Sequence, residues 1–176
     1  MTLIACDKLA CSNLNTLPVT LRNMADISSI ENSSRLSNGR IVRPIHPGEH
    51  SVTPYLTFDN GCKAIDFYKR AFNAEELFCE TMPGGTKTFY ARMRIGDSIV
   101  RLSHEFPNSP HKSPVSLGTT TVALHLYSDN LYELWRKAVQ TGAKVMMPLD
   151  NQSWAERYGM LVDLFGHQWP MSMAIK

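Results

Sequence analysis

Val52-Thr53-Pro54-Tyr55-Leu56-Thr57-Phe58, Asp59-Asn60-Gly61 and Ala64-Ile65-Asp66-Phe67-Tyr68-Lys69-Arg70-Ala71-Phe72 run in succession and decide the fold. The first group alternates in the manner of a strand, the second turns the chain, and the third repeats its apolar residues at helical spacing. Two strands then follow near Glu75–Met82 and Thr86–Ile95, across a Pro83-Gly84-Gly85 turn, and Gly96-Asp97 leads into a strand at Ile99–His104. The order is strand, helix, strand, strand, strand.

The second half runs through the same order. Thr121–Tyr127 reads as a strand, and Ser128-Asp129-Asn130 as a turn. Leu131, Leu134, Trp135, Ala138 and Val139 mark a helix stopped at Gly142, and strands are expected at Lys144–Pro148, Tyr158–Leu164 and His167–Ala174. Phe67-Tyr68-Lys69-Arg70-Ala71-Phe72 aligns over Leu134-Trp135-Arg136-Lys137-Ala138-Val139, and Asp97 and Asp163 both stand near the turn before their last strand. A repeat of this length suits two paired modules rather than a solenoid. The expected organisation is an extension at 1–48 and a domain at 49–176, with modules at 53–105 and 119–175 joined by a Pro- and Ser-rich linker at 106–118. The extension is rich in Ser, Asn and Thr without sustained periodicity and reads as a loosely held, flexible arm.

Composition narrows the function. The chain has 176 residues, 43% of them hydrophobic, and a formal net charge of +2. It is long enough to bury a core without disulfides or metals. Its cations are dispersed, which argues against nucleic acid as a partner. Nothing approaches the roughly 18 apolar residues of a membrane span, and no basic start with an apolar run marks a secretory signal. The expected location is the cytoplasm. Cys6, Cys11, Cys62 and Cys79 have neither disulfide-framework nor zinc-site spacing.

Strand alternation assigns faces. Leu56 and Phe58 oppose Thr53, Tyr55 and Thr57. Val100 and Leu102 oppose Ile99, Arg101 and Ser103. Val122, Leu124 and Leu126 oppose Thr121, Ala123, His125 and Tyr127, and Trp169, Met171 and Met173 oppose Gln168, Pro170 and Ser172. Each apolar face suits a covering helix. The polar-bearing faces of two such sheets, facing one another, would line a wet cup.

These segments resemble the vicinal oxygen chelate superfamily of glyoxalases, bleomycin-resistance proteins and extradiol dioxygenases, in its PhnB-like branch. The resemblance rests on Val52–Leu56, Ala64–Phe72, Ile95-Gly96-Asp97-Ser98, His125-Leu126-Tyr127, Gly142-Ala143, Met147–Trp154, Glu156–Gly159 and Asp163–His167. It covers nearly all of 50–175. Pro is usual where Leu164 stands, and Gly is frequent where Ala155 stands. The resemblance implies an α+β fold in which two βαβββ modules pair into a curved mixed sheet enclosing a cup, in a homodimer. Metal-dependent relatives hold a divalent ion with one residue on the first and one on the last strand of each module. Those positions here are Thr53, Arg101, Thr121 and Pro170. None is a usual ligand, and a guanidinium repels a cation, so no metal cofactor is expected.

Ligand-binding candidates are Tyr55, Arg101, Thr121, His125, Trp154, Arg157 and Tyr158. His125 is a mid-strand imidazole, either a base or donor or a histidine bonded within the fold. Arg101 either grips a carboxylate or phosphonate, or pairs with an acid such as Glu105. Trp154, Arg157 and Tyr158 lie on the segment that resembles the ligand cover of bleomycin-resistance proteins, where an indole can stack on a planar ligand or simply pack. His104, Glu105 and His111 read as exposed loop residues. The leading expectation is a metal-free small-molecule-binding protein. The rivals are a lyase, isomerase or dioxygenase working through His125 and Glu105, and a docking module that uses the N-terminal arm.

Overall fold

The computed structural model describes residues 45–46, 48–83 and 87–175. The chain divides into two units, Met1–His46 and Pro47–Lys176. The expectations for the N-terminal arm lie outside the described residues. The second unit contains β1 (Tyr55–Phe58), α1 (Gly61–Phe72), β2 (Glu75–Thr81), β3 (Thr88–Ile95), β4 (Ser98–His104) and α2 (Pro114–Leu117). It continues with β5 (Leu126–Tyr127), α3 (Leu131–Gln140), β6 (Lys144–Asn151), β7 (Glu156–Val162) and β8 (Gln168–Ala174).

Helix α1 starts where Asn60 accepts a hydrogen bond from the Lys63 amide (3.1 Å), and ends at Asn73 in the left-handed region (φ 53°). It buries the helically spaced set expected from the sequence: Ala64, Ile65, Phe67, Tyr68, Ala71 and Phe72. Each module makes a four-stranded mixed sheet, in the orders β1-β4-β3-β2 and β5-β8-β7-β6. The first and last strands of each module run parallel, and the rest are antiparallel. This is the α+β, two-module arrangement read from the sequence.

The core is continuous across both modules. Phe58 of β1 meets Phe165 and His167 of the second module at ring distances of 5.2 and 4.9 Å. Tyr68 and Phe72 of α1 meet Trp169 of β8 at 5.5 and 4.6 Å. At its polar centre Asp163 is buried; Tyr68 Oη (2.6 Å) and Trp169 Nε1 (3.0 Å) donate to its Oδ2. The amides of Phe165 and His167 donate to its Oδ1, both at 2.9 Å. The sequence-matched Asp97 instead lies on the surface, accepting from Ser98 Oγ.

Two details differ from the sequence reading. The strand expected at Thr121–Tyr127 keeps regular pairing only at Leu126–Tyr127, with a single bridge from Ala123 to Gln168. Thr120 Oγ1 engages both the amide and the carbonyl of Val122, diverting that backbone from a ladder, and Val122 is 62% exposed rather than core. The linker carries the short helix α2, capped by Ser113 with Pro114 in its first turn.

Candidate functional site

The modules join through their apolar, helix-covered faces, so each polar-bearing face remains open among the described residues. The sheets do not close a cup within one chain. His125 lines two hollows, and Arg101 lines neither of them. The expected site is divided into two open faces and a junction cavity.

The first face belongs to β1, β4, β3 and β2. Register sets Tyr55 opposite Arg101, Arg101 opposite Arg92, and Arg92 opposite Phe78. These four side chains therefore form one row on the side away from α1. Tyr55 stacks on Tyr90 at 6.3 Å, and the Arg101 and Arg92 guanidiniums lie 5.9 Å over the rings of Tyr90 and Phe78. Arg101 Nη2 donates to Glu49 Oε2 at 2.5 Å, and Arg92 Nη1 stands 3.6 Å from Glu49 Oε1. Arg101 thus pairs with Glu49, not with Glu105. Sequence reasoning missed Glu49 because nothing local links it to a strand 52 residues further on.

Glu105 is engaged elsewhere. It accepts from the Ser113 amide at 2.8 Å and lies 3.3 Å from Lys112 Nζ, tying the linker to the end of β4. The Ser113 amide, with Ser116 and Lys112, holds its carboxyl down at about 2. His104 ends β4, as in the strand read at Ile99–His104, but it is half-buried rather than exposed, with its ring edge-on to Phe106 at 5.7 Å. Burial lowers its pKa, with Lys87 adding to the effect.

The second face belongs to β5, β8 and β7. His125 Nε2 lies 2.8 Å from the buried Ser172 Oγ, stacks on Tyr127 at 4.4 Å and meets Tyr158 edge-on at 5.8 Å. Trp154, 58% exposed, sits edge-on to Tyr158 at 6.2 Å and donates its Nε1 hydrogen to Glu156. His125, Tyr127, Gln152, Trp154 and Tyr158 line a shallow hollow of about 580 Å³.

Arg157 is not part of this face. Neighbouring residues on a strand point oppositely, and Arg157 shares its side with Gly159, where an added Cβ would strike Trp135 at 2.7 Å. Its guanidinium bonds Asn151 Oδ1 (2.8 Å) and the Tyr132 hydroxyl on α3, and lies 5.2 Å over the Tyr132 ring. Thr121 lines a cavity of about 520 Å³ at the module junction, with Tyr55, Lys112 and His167.

The four positions matched to metal ligands do not fit a divalent cation. Thr53 Oγ1 donates to the His50 carbonyl at 2.8 Å, Arg101 is cationic and held by Glu49, and Thr121 stands in the junction cavity. Pro170 offers no side-chain donor. Among the described residues no three His, Cys, Asp or Glu side chains group to hold a metal, and no helix is long and apolar enough to cross a membrane.

His167 gives the fold a pH dependence. It is buried, its Nε2 lies 3.2 Å from the Thr57 carbonyl, and burial lowers its pKa below 6.5. A depressed histidine is neutral in the folded chain but takes a proton once unfolded, so its contribution to stability is full above about pH 6.5 and declines as pH falls below that value. Glu105, also depressed, matters only below about 4.5, the ordinary carboxyl value. Urea midpoints should therefore fall between pH 7.5 and 5.5 in the native chain. A His167→Gln protein should show a flatter profile over that window; equal slopes would show that another group titrates.

Two opened, aromatic-walled sheet faces built from paired βαβββ modules define a protein of the glyoxalase and bleomycin-resistance fold class. The sequence model of the Glyoxalase/Bleomycin resistance protein/Dioxygenase superfamily matches residues 53–171, and the chain belongs to that family. An uncharacterized protein of Mycobacterium bovis, Mb0911c, is 35% identical over 131 residues, 73% of this chain and 86% of its own length. The PhnB protein of Bacillus cereus shares the fold at TM-score 0.56 and 16% identity, covering 71% of this chain and 100% of that one. A bleomycin-binding protein in complex with bleomycin does so at 0.51 and 17%, covering 70% and 98%.

Proposed function

We propose that this chain binds a small molecule without a divalent metal, as a homodimer that brings the Arg101 face of one protomer against the His125 face of its partner. The observation that carries the reading is the division of the site. One face supplies guanidinium and tyrosine, the other imidazole and indole, and both stay open in a single chain with Tyr55 48% exposed and Trp154 58%. Exposed aromatic faces of this kind mark binding surfaces. The substitution of all four matched metal positions by Thr, Arg, Thr and Pro supports a site that works through hydrogen bonds and stacking. The bleomycin-binding protein shows that this fold carries a small-molecule site in at least one relative.

Tyr55 and Arg101 are assigned to one wall, and His125, Trp154 and Tyr158 to the other, with Thr121 at the junction. The reading excludes catalysis through a His125–Glu105 pair, because the Glu105 carboxylate is committed to Ser113 and Lys112.

Two measurements on the purified chain test the proposal. After exposure to nickel, zinc, manganese and iron and then desalting, elemental analysis should find well under one ion per protomer, and light scattering should give twice the chain mass. A stoichiometric metal, or a monomer at micromolar concentration, would overturn it.

A further inference from the structure

The first face carries an electrostatic feature that general ligand binding does not require. Arg92 and Arg101 are direct cross-strand partners on β3 and β4. Like charges placed opposite one another on a sheet face destabilise it unless an anion lies between them. Here the anion is Glu49, from the segment just before β1. Its side chain is only 5% exposed and reaches both guanidiniums, at 2.5 Å to Arg101 and 3.6 Å to Arg92. Among the described residues, this one carboxylate serves two guanidiniums.

The cations are also not fully engaged. Arg101 Nε is buried and has no hydrogen-bond acceptor among the described residues. A buried, unmet donor on a charged group is costly. An anion with several oxygens, placed where Glu49 lies, can satisfy it through the two-pronged geometry of a guanidinium. Around the pair stand Tyr55, Tyr90 and Phe78, with Tyr55 and Tyr90 near-parallel at 21°. A floor of flat rings beside two guanidiniums suits a ligand with a planar body and one anionic group.

We infer that the Arg92–Arg101 pair is the seat for the carboxylate, phosphonate or phosphate group of a planar ligand, and that Glu49 is a built-in occupant which the ligand displaces. Glu49 then keeps the two arginines apart from each other's charge when the site is empty and sets a threshold that an incoming anion must exceed. The inference rests on the ligand-binding reading of this face and adds to it the chemical class of the ligand and a self-occupied resting state.

The test uses phenylphosphonate, with benzamide as its neutral planar counterpart, titrated by calorimetry into the full chain and into the Glu49→Gln and Arg101→Met proteins. Removing the competing carboxylate should tighten phenylphosphonate binding at least tenfold and leave benzamide unchanged. Arg101→Met should weaken phenylphosphonate tenfold or more. Equal affinity for phenylphosphonate in native and Glu49→Gln proteins, parallel tightening of benzamide, or no binding to Glu49→Gln at millimolar concentration would each overturn the inference.

Because Glu49→Gln leaves two arginines facing one another, thermal melting supplies a second readout. Ligand binding to the folded state raises Tm, so phenylphosphonate should raise the Tm of Glu49→Gln more than that of the native chain. An equal or smaller rise counts against the displaced-carboxylate seat. Benzoate run in parallel separates carboxylate from phosphonate preference. Failure of the metal-free dimer reading would appear in elemental analysis and light scattering, which these titrations do not measure.

Discussion

Replacing Asp163 with Ala should cost about 3–4 kcal/mol of folding stability, because it leaves several buried donors without an acceptor. The donors are the Tyr68 hydroxyl, the Trp169 indole N–H, and the amides of Phe165 and His167. None can turn to water, since Tyr68, Trp169, Phe165 and His167 are all buried. The carboxylate also joins the modules: Tyr68 belongs to α1 of the first, and the other donors belong to the turn and strand of the second. Burial, and then the Asp163 charge, keep the Tyr68 hydroxyl protonated well above its ordinary range, so it donates at any pH of interest. Tyr68→Phe removes a single donor and should cost only about 1–2 kcal/mol. Urea denaturation of the two variants checks the order. An Asp163→Ala protein within about 1 kcal/mol of the native chain would mean that relaxation or water replaces the carboxylate.

Phe58→Ala should be as damaging, at about 3–5 kcal/mol, the usual range for deleting a buried ring. Phe58 is fully buried and sits between modules, edge-on to Tyr68 on one side and to Phe165 on the other, with His167 at 4.9 Å. The resulting cavity lies on the seam, so both modules should lose stability together. Unfolding followed by Trp135 and Trp169 fluorescence on the second module, and by amide exchange of β3 and β4 on the first, should give coincident transitions. If the first module alone unfolds early, the core does not act as one cooperative unit.

The seam explains why the polar faces open outward. Strand alternation sends Leu56, Phe58, Trp169 and Met171 to one side and Tyr55, Arg101, His125 and Ser172 to the other. The first set is large and apolar enough to hold α1, α3 and both sheets in one core. Once the apolar faces meet, the described residues leave the polar faces uncovered. The expectation of a cup within one chain assumed that the polar faces would turn toward each other. The aromatic cluster on the opposite faces decided the contact instead.

Some of the site was legible from residue order and some of the misplacement was avoidable. The side on which Tyr55, Arg101 and His125 emerge follows from a period of two, and the structure keeps it. The same period shows that Arg157 and Tyr158, as neighbours in one strand, could not both line one wall; Tyr158 meets His125, whereas Arg157 turns to Tyr132. Glu105 looked available because its ties to Ser113 and Lys112 depend on how the linker folds back.

By itself, the sequence determined the two strand–helix–strand modules, the turn at Asp59-Asn60-Gly61, the face of each regular strand and the unsuitability of Thr53, Arg101, Thr121 and Pro170 as metal ligands. These depend on backbone periodicity and on side-chain chemistry, which act locally. Only the tertiary structure decided that Asp163 is buried while Asp97 is exposed, that Glu49 lies against two arginines, and that the sheets leave their polar faces open. Those outcomes join residues far apart in the chain, 95 positions for Tyr68 and Asp163 and 52 for Glu49 and Arg101. Contacts of that span are selected by packing of the whole core, and no local period records them.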